Sequence, residues 1–179
     1  MDDTLTRYAK FQKIGGFWTL TAISPLVLEP ASGEKKASIT RVTIYNDDEE
    51  VLSITDPTQL IDLDNLPVFS PYSQVKVEVE VEYSGESGYD PSTHVFIHHG
   101  LRLIEPHCRD FAYDDGGTNP ASGDATADDN IYTRLYTTGL GSGYWKRGAG
   151  DVLDSTCLHS TDDDYQSNAW VIPYKVSSQ

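Results

Sequence analysis

The clearest pattern in the chain is residues 75–83, where Val75, Val77, Val79, Val81 and Tyr83 alternate with Lys76, Glu78, Glu80 and Glu82. A period of two predicts a strand with one buried and one wet face, as antiparallel sheets have. The charged face also suits protection against edge-to-edge pairing. Residues 38–45 alternate in the same way, turn at Asn46-Asp47-Asp48-Glu49 and resume at residues 51–54, which predicts a hairpin. Phe17-Trp18-Thr19-Leu20-Thr21-Ala22-Ile23 reads as a first strand, rich in aromatic and β-branched residues. Pro25 and Pro30 punctuate the next stretch as loop, and Pro57, Pro67 and Pro71 frame a short strand at residues 59–63. Strand-like runs recur at residues 93–98, 101–104, 109–113, 131–137 and 168–176, with Pro173 marking the last as an edge or bulged strand. Many short strands at turn spacing, without intervening helices, predict an all-β antiparallel sandwich.

Two segments stand outside this pattern. Residues 1–16 form an N-terminal arm in which Leu5, Tyr8, Phe11 and Ile14 recur three apart, a spacing that allows one or two helical turns. So short a helix is marginal in water and needs a surface to lie on. Gly15-Gly16 then reads as a flexible joint to the sandwich domain, residues 17–179. Residues 138–166 are rich in Gly, Ser and Asp, with isolated Tyr144 and Trp145, and predict a long loop region near the C-terminus.

The most distinctive stretch is Tyr113-Asp114-Asp115-Gly116-Gly117, continuing through Gly123-Asp124 and Asp128-Asp129-Asn130 into Ile131-Tyr132-Thr133. Asp and Asn accept hydrogen bonds from their own downstream backbone, and glycines supply positive φ, so the run predicts an acidic turn between two strands. It resembles the acidic turn of immunoglobulin-like or fibronectin-like β-sandwich modules in secreted and surface-attached microbial proteins. That resemblance implies an immunoglobulin-like form of the sandwich. Asp114, Asp115, Asp124, Asp128 and Asp129 are hard oxygen ligands of the kind calcium prefers, which makes them the candidate metal residues. Their spacing does not match an EF-hand loop, and Asx turns account for the same residues.

Charge changes the picture next. A formal net charge of -15 argues against nucleic acid and anionic membrane surfaces as partners. No apolar run is long enough to span a bilayer, and the first residues lack the basic head and apolar middle of a signal peptide. Cys108 and Cys157 predict one disulfide outside the cytosol; the rival is a zinc site joining them to His107 and His159. His94 and His98 share a strand face about 13 Å apart, too far for one zinc ion. Ser142 lies among glycines but outside a Gly-x-Ser-x-Gly elbow, so no catalytic residue is assigned.

The resulting expectation is a non-enzymatic structural or adhesion subunit of an extracellular filament, cell surface or virion, with its arm docking on copies of itself or on other subunits. A carbohydrate-binding module is the alternative, with Tyr144, Trp145 and Trp170 as stacking platforms. A hydrolase ranks below both.

Overall fold

The computed structural model describes residues 3–32, 37–83, 93–99, 108–138, 144–154 and 167–177; for residues 108, 144–149, 151–154 and 167 it describes the backbone alone. Among the described residues fourteen strands occur in order: β1 Asp3–Thr6, β2 Ala9–Ile14, β3 Phe17–Ile23, β4 Leu26–Pro30, β5 Ala37–Asn46, β6 Glu49–Ile54 and β7 Ile61–Asp62. They continue with β8 Val68–Phe69, β9 Gln74–Tyr83, β10 Thr93–His99, β11 Cys108–Ala112, β12 Ile131–Thr137, β13 Tyr144–Asp154 and β14 Ser167–Val176. One short 3-10 turn spans Leu63–Asn65, and the described residues include no α-helix.

The alternating run of residues 75–83 behaves as its pattern dictates. Strand β9 buries Val75, Val77, Val79 and Val81 and leaves its acidic side chains to solvent. It lies inside a four-stranded sheet ordered β12-β9-β5-β6, so its charged face marks the wet side of an interior strand and guards no edge. Opposite lies a larger sheet, ordered β1-β4-β14-β13-β10-β11, with β8 pairing in parallel on β14. The core between them joins Ile39, Val42, Ile44, Val77 and Val79 to Val95, Ile97, Trp170, Ile172 and Tyr174. The molecule is thus an antiparallel β-sandwich, and a third small sheet, β2-β3-β7, extends from it.

Four expectations change, the first being that the stretch between Pro25 and Pro30, read as loop, is strand β4, paired with β1 and β14. The predicted late loop contains β13, a central strand paired on both sides, with β10 and with β14. Its sequence, with Gly148 and Gly150, has poor strand propensity. Tertiary packing explains the glycine: a Cβ on Gly150 would sit 3.1 Å from Val79 Cγ2, so the two sheets meet where the side chain is missing. Strand β14 is no edge either. Pairing with β4 covers Ala169 to Val171 and pairing with β8 covers Lys175 and Val176, so Pro173, which lacks an N–H, falls in the gap between them.

The arm also differs. Residues three apart do not lie on a helix: Asp3–Thr6 is the edge strand β1, antiparallel to β4, and Ala9–Ile14 is strand β2.

A side chain at Gly150 should over-pack the sandwich. Gly150→Val is expected to destabilise the chain by about 1–3 kcal/mol in urea unfolding, and an unchanged midpoint would refute the close approach.

Candidate functional site

Strands β2 and β3 form a hairpin whose two-residue turn is Gly15-Gly16, at φ 58° and 90°. Positive φ at both central residues is what a type I′ turn requires, and glycine supplies it without steric cost. The glycines therefore fix a tight turn in place of the expected flexible joint. Its base is held firmly. Ser24 N donates to Tyr8 O at 2.9 Å, Tyr8 N donates to Ser24 Oγ at 2.9 Å, and Ala22 is fully buried.

Beyond that base the hairpin leaves the body. Exposure rises steadily from Ala22 towards Phe17, and every residue of β2 is exposed. Phe17 is 79% and Trp18 73% exposed, while Leu5, Tyr8, Phe11 and Ile14 are each at least half exposed. Register places Ile14 opposite Phe17 on one face, and Lys13 opposite Trp18 with Phe11 opposite Leu20 on the other. Both faces are consequently apolar at the tip. The strand pattern of residues 17–23 assigns Phe17 and Trp18 to the sandwich; Gly-Gly between two apolar runs is the signal for a projecting hairpin instead.

At the far end of the large sheet, β11 is the edge strand. Its outer face stacks with that of β10: the ring centroids of Phe96 and Phe111 lie 4.5 Å apart, His94 and Phe111 6.0 Å apart, and the Arg109 guanidinium sits 3.7 Å over Phe96. Phe111 remains 47% exposed. Beside it opens a shallow cleft of about 240 Å3, lined by Thr93, His94, Phe111, Tyr113, Asp114 and Asp115 among others. Thr93 Oγ1 is buried there with no hydrogen-bond partner among the described residues.

The acidic turn forms one wall of this cleft. Asp115 accepts hydrogen bonds from Gly117 N at 3.0 Å and Asn119 N at 2.8 Å, and lies 2.9 Å from Ser122 Oγ. Asp124 accepts from Asp115 N at 2.8 Å and Gly116 N at 2.7 Å; Asp114 accepts from Asn130 N at 2.8 Å; and Asp129 accepts from Ile131 N at 3.0 Å. Asp128 and Asn130 occupy the left-handed region at φ 59° and 64°. Four of the five candidate calcium ligands thus organise backbone N–H groups, and no group of three or more His, Cys, Asp or Glu among the described residues is arranged to hold a metal ion. Burial, joined by the charges of Asp129 and Asp124, pushes the Asp114 carboxyl above its ordinary pKa despite its two backbone hydrogen bonds.

A second polar group joins the two sheets. His99 Nε2 lies 2.8 Å from Asp110 Oδ2, Arg134 lies 3.3 Å from the same oxygen, and the His99 ring stacks on Tyr136 at 4.4 Å. Burial raises the Asp110 pKa, but the hydrogen bond from His99 and the neighbouring Arg134 charge outweigh it and hold the carboxyl below the usual value.

The remaining candidates divide. Trp170 is buried in the core and offers no face to a sugar ring. Tyr144 and Trp145 lie on β13 with only their backbones described, and His107, Ser142, Cys157 and His159 lie outside the described residues. The expected Cys108–Cys157 bridge falls on these residues: Cys108 pairs with His99 at the end of β10, and Cys157 lies outside the described residues.

No protein-family model matches this chain, and no curated protein does.

Asp110 and Asp114 respond to acid with opposite signs. Asp110 stabilises the fold above its unfolded pKa and loses that contribution as pH falls through its lowered folded pKa, so the loss begins at about pH 4 and continues downward. Asp114 carries a penalty that acidification relieves. Asp110→Asn should therefore flatten the fall of melting temperature below about pH 4, and an unaltered acid limb would contradict the role given to Asp110. Asp115→Ala should cost about 1–3 kcal/mol in urea unfolding, while millimolar Ca2+ and a chelator leave the wild-type melting temperature in the same place. A calcium-dependent rise would show that the turn holds an ion.

Proposed function

We propose that this chain is a non-enzymatic structural or adhesion subunit that assembles with copies of itself, in an extracellular filament, on a cell surface or in a virion. The observation that carries the reading is the projecting β2–β3 hairpin. Six of the eleven large apolar side chains exposed among the described residues lie between Leu5 and Trp18. Concentrated exposure of this kind marks interaction surfaces. Fully burying one such side chain is worth about 1.5–3 kcal/mol, so a few of them suffice for a specific contact once the entropy of association is met.

The division of labour within the arm supports this. Strand β1 covers the edge of its own sheet at β4, and its neighbour Arg7 reaches Val171 O at 3.3 Å, so the first residues serve the chain's own fold. The hairpin buries nothing of the sort at its tip. Charge adds a second support: residues 9–23 carry Lys10 and Lys13 and no carboxylate, in a chain of net charge -15. A basic, apolar projection on an acidic body favours contact with another such body. No helix among the described residues is long and apolar enough to cross a membrane, which is compatible with the proposed surface location.

Sedimentation velocity on the full chain across micromolar concentrations tests the reading. The wild type is expected to self-associate, and Phe17→Ser with Trp18→Ser is expected to remain monomeric with a stability within about 0.5 kcal/mol of wild type, as for surface changes generally. A monomeric wild type, or a double variant that associates as before, would contradict it.

A further inference from the structure

We infer that the cleft beside Phe111 and Tyr113 receives the hairpin tip of a second copy, with Trp18 entering the cleft and Lys13 meeting Asp114 and Asp115, so that copies join head to tail. The inference rests on the assembly reading above and supplies its receiving surface.

Topology places donor and receiver at opposite ends of one sheet. The hairpin is rooted beside β4, next to the β1 edge, and the cleft lies at β11, the other edge. Five strand spacings between β1 and β11 amount to about 24 Å. From buried Ala22 the hairpin extends five residues to Phe17, about 17 Å at strand rise. It does not fill the cleft of its own chain, since Trp18 at its tip is 73% exposed, whereas a neighbour's cleft is open to it. Two different surfaces in contact make a heterologous interface, which propagates as a ring or an open filament.

The chemistry of the two surfaces matches. A cleft of about 240 Å3 falls below the roughly 300–1,000 Å3 of small-molecule pockets and suits a single aromatic side chain. Its walls offer the exposed ring of Phe111, an edge-on His94–Phe111 pair and a tilted Phe111–Tyr113 pair, against which an indole packs edge-on or offset. Buried Thr93, 7% exposed, lines the cleft with an Oγ1 that has no partner among the described residues. Lys13 lies cross-strand from Trp18 and so on the same hairpin face, with Phe11 and Leu20 next along that face to cover Phe111. Where Lys13 arrives, Asp114 stands among Asp124 and Asp129, a surplus of negative charge that burial makes costly and a lysine relieves.

The test uses two full-length variants with opposite defects. Lys13→Glu with Trp18→Ala removes the donor; Phe111→Arg removes the receiver, and His94→Arg is the substitute receiver variant should Phe111→Arg fail to melt cooperatively. Each variant alone is expected to be monomeric where wild type associates, its self-association weakened at least about thirtyfold, as for loss of a hot-spot aromatic. Mixed in equal amounts, the two retain one good surface each and are expected to form 1:1 dimers and nothing longer. Receiver variants that associate like wild type, or a mixture that stays monomeric, would overturn the inference while leaving hairpin-driven assembly in place. Donor variants that associate like wild type would overturn both. So would a monomeric wild type whose cleft binds oligosaccharide instead.

Discussion

The sandwich depends on the close approach of β9 and β13. Val79 is fully buried, and Gly150 faces it so closely that a methyl group there would lie 3.1 Å from Val79 Cγ2. From that contact the valine stripe of β9 reaches Ile97, Ile172 and Tyr174 across the core, and the two sheets take their separation from it. Tyr136 and Tyr174 carry the same seam to the sandwich interior, where burial raises the Tyr174 pKa to about 12 and that of Tyr136 well beyond its ordinary value. At one side the seam closes: Tyr113, just after β11, bridges to Thr133 of β12, so the edge of the large sheet meets the edge of the four-stranded one. A body held this way has little need of its projecting hairpin for stability.

Where the large sheet ends, the chain treats its two edges differently. At the N-terminal side β1 pairs with β4, and the chain turns at Tyr8 and Ser24 to send a basic, apolar hairpin outward. At the β11 side the edge is dressed with aromatic rings and an acidic turn. The turn is rigid for local reasons. Gly123 stands where a Cβ would lie 2.8 Å from Leu135 Cγ, Leu135 N donates to Ala121 O at 3.0 Å, and Ser122 is fully buried beneath the carboxylate of Asp115. A stiff, negatively charged wall is a better receiving surface than a loose one because less ordering entropy is lost on contact.

How much of this is legible in the residues depends on the period of each segment. The valines of β9 and the β5–β6 hairpin are plain from alternation, and the positive φ of Gly116, Gly117 and Asn130 agrees with the turn chemistry read at those residues. Strand β13 is not legible, because the glycine that lets it approach Val79 is the residue that lowers its strand propensity; only the facing strand gives it meaning. The arm misleads through coincidence: Leu5, Tyr8, Phe11 and Ile14 are spaced by three, yet the strands among them, β1 and β2, expose their side chains for different reasons. Of the candidate site, the acidic residues and the apolar arm are legible. The cleft between the acidic turn and Phe111 is not, since it depends on the β10–β11 register and on Thr93 from a distant part of the chain.

The central claim is a contact between position 18 of one copy and the β11 edge of another. A photo-activated cross-linker placed at residue 18, with unlabelled chains mixed with chains labelled in 15N, reads that contact directly. Mass spectrometry is expected to find mixed-isotope adducts on the peptide that spans residues 109–115. Adducts confined to the chain that bears the cross-linker, or mixed adducts that spare those residues, would contradict it.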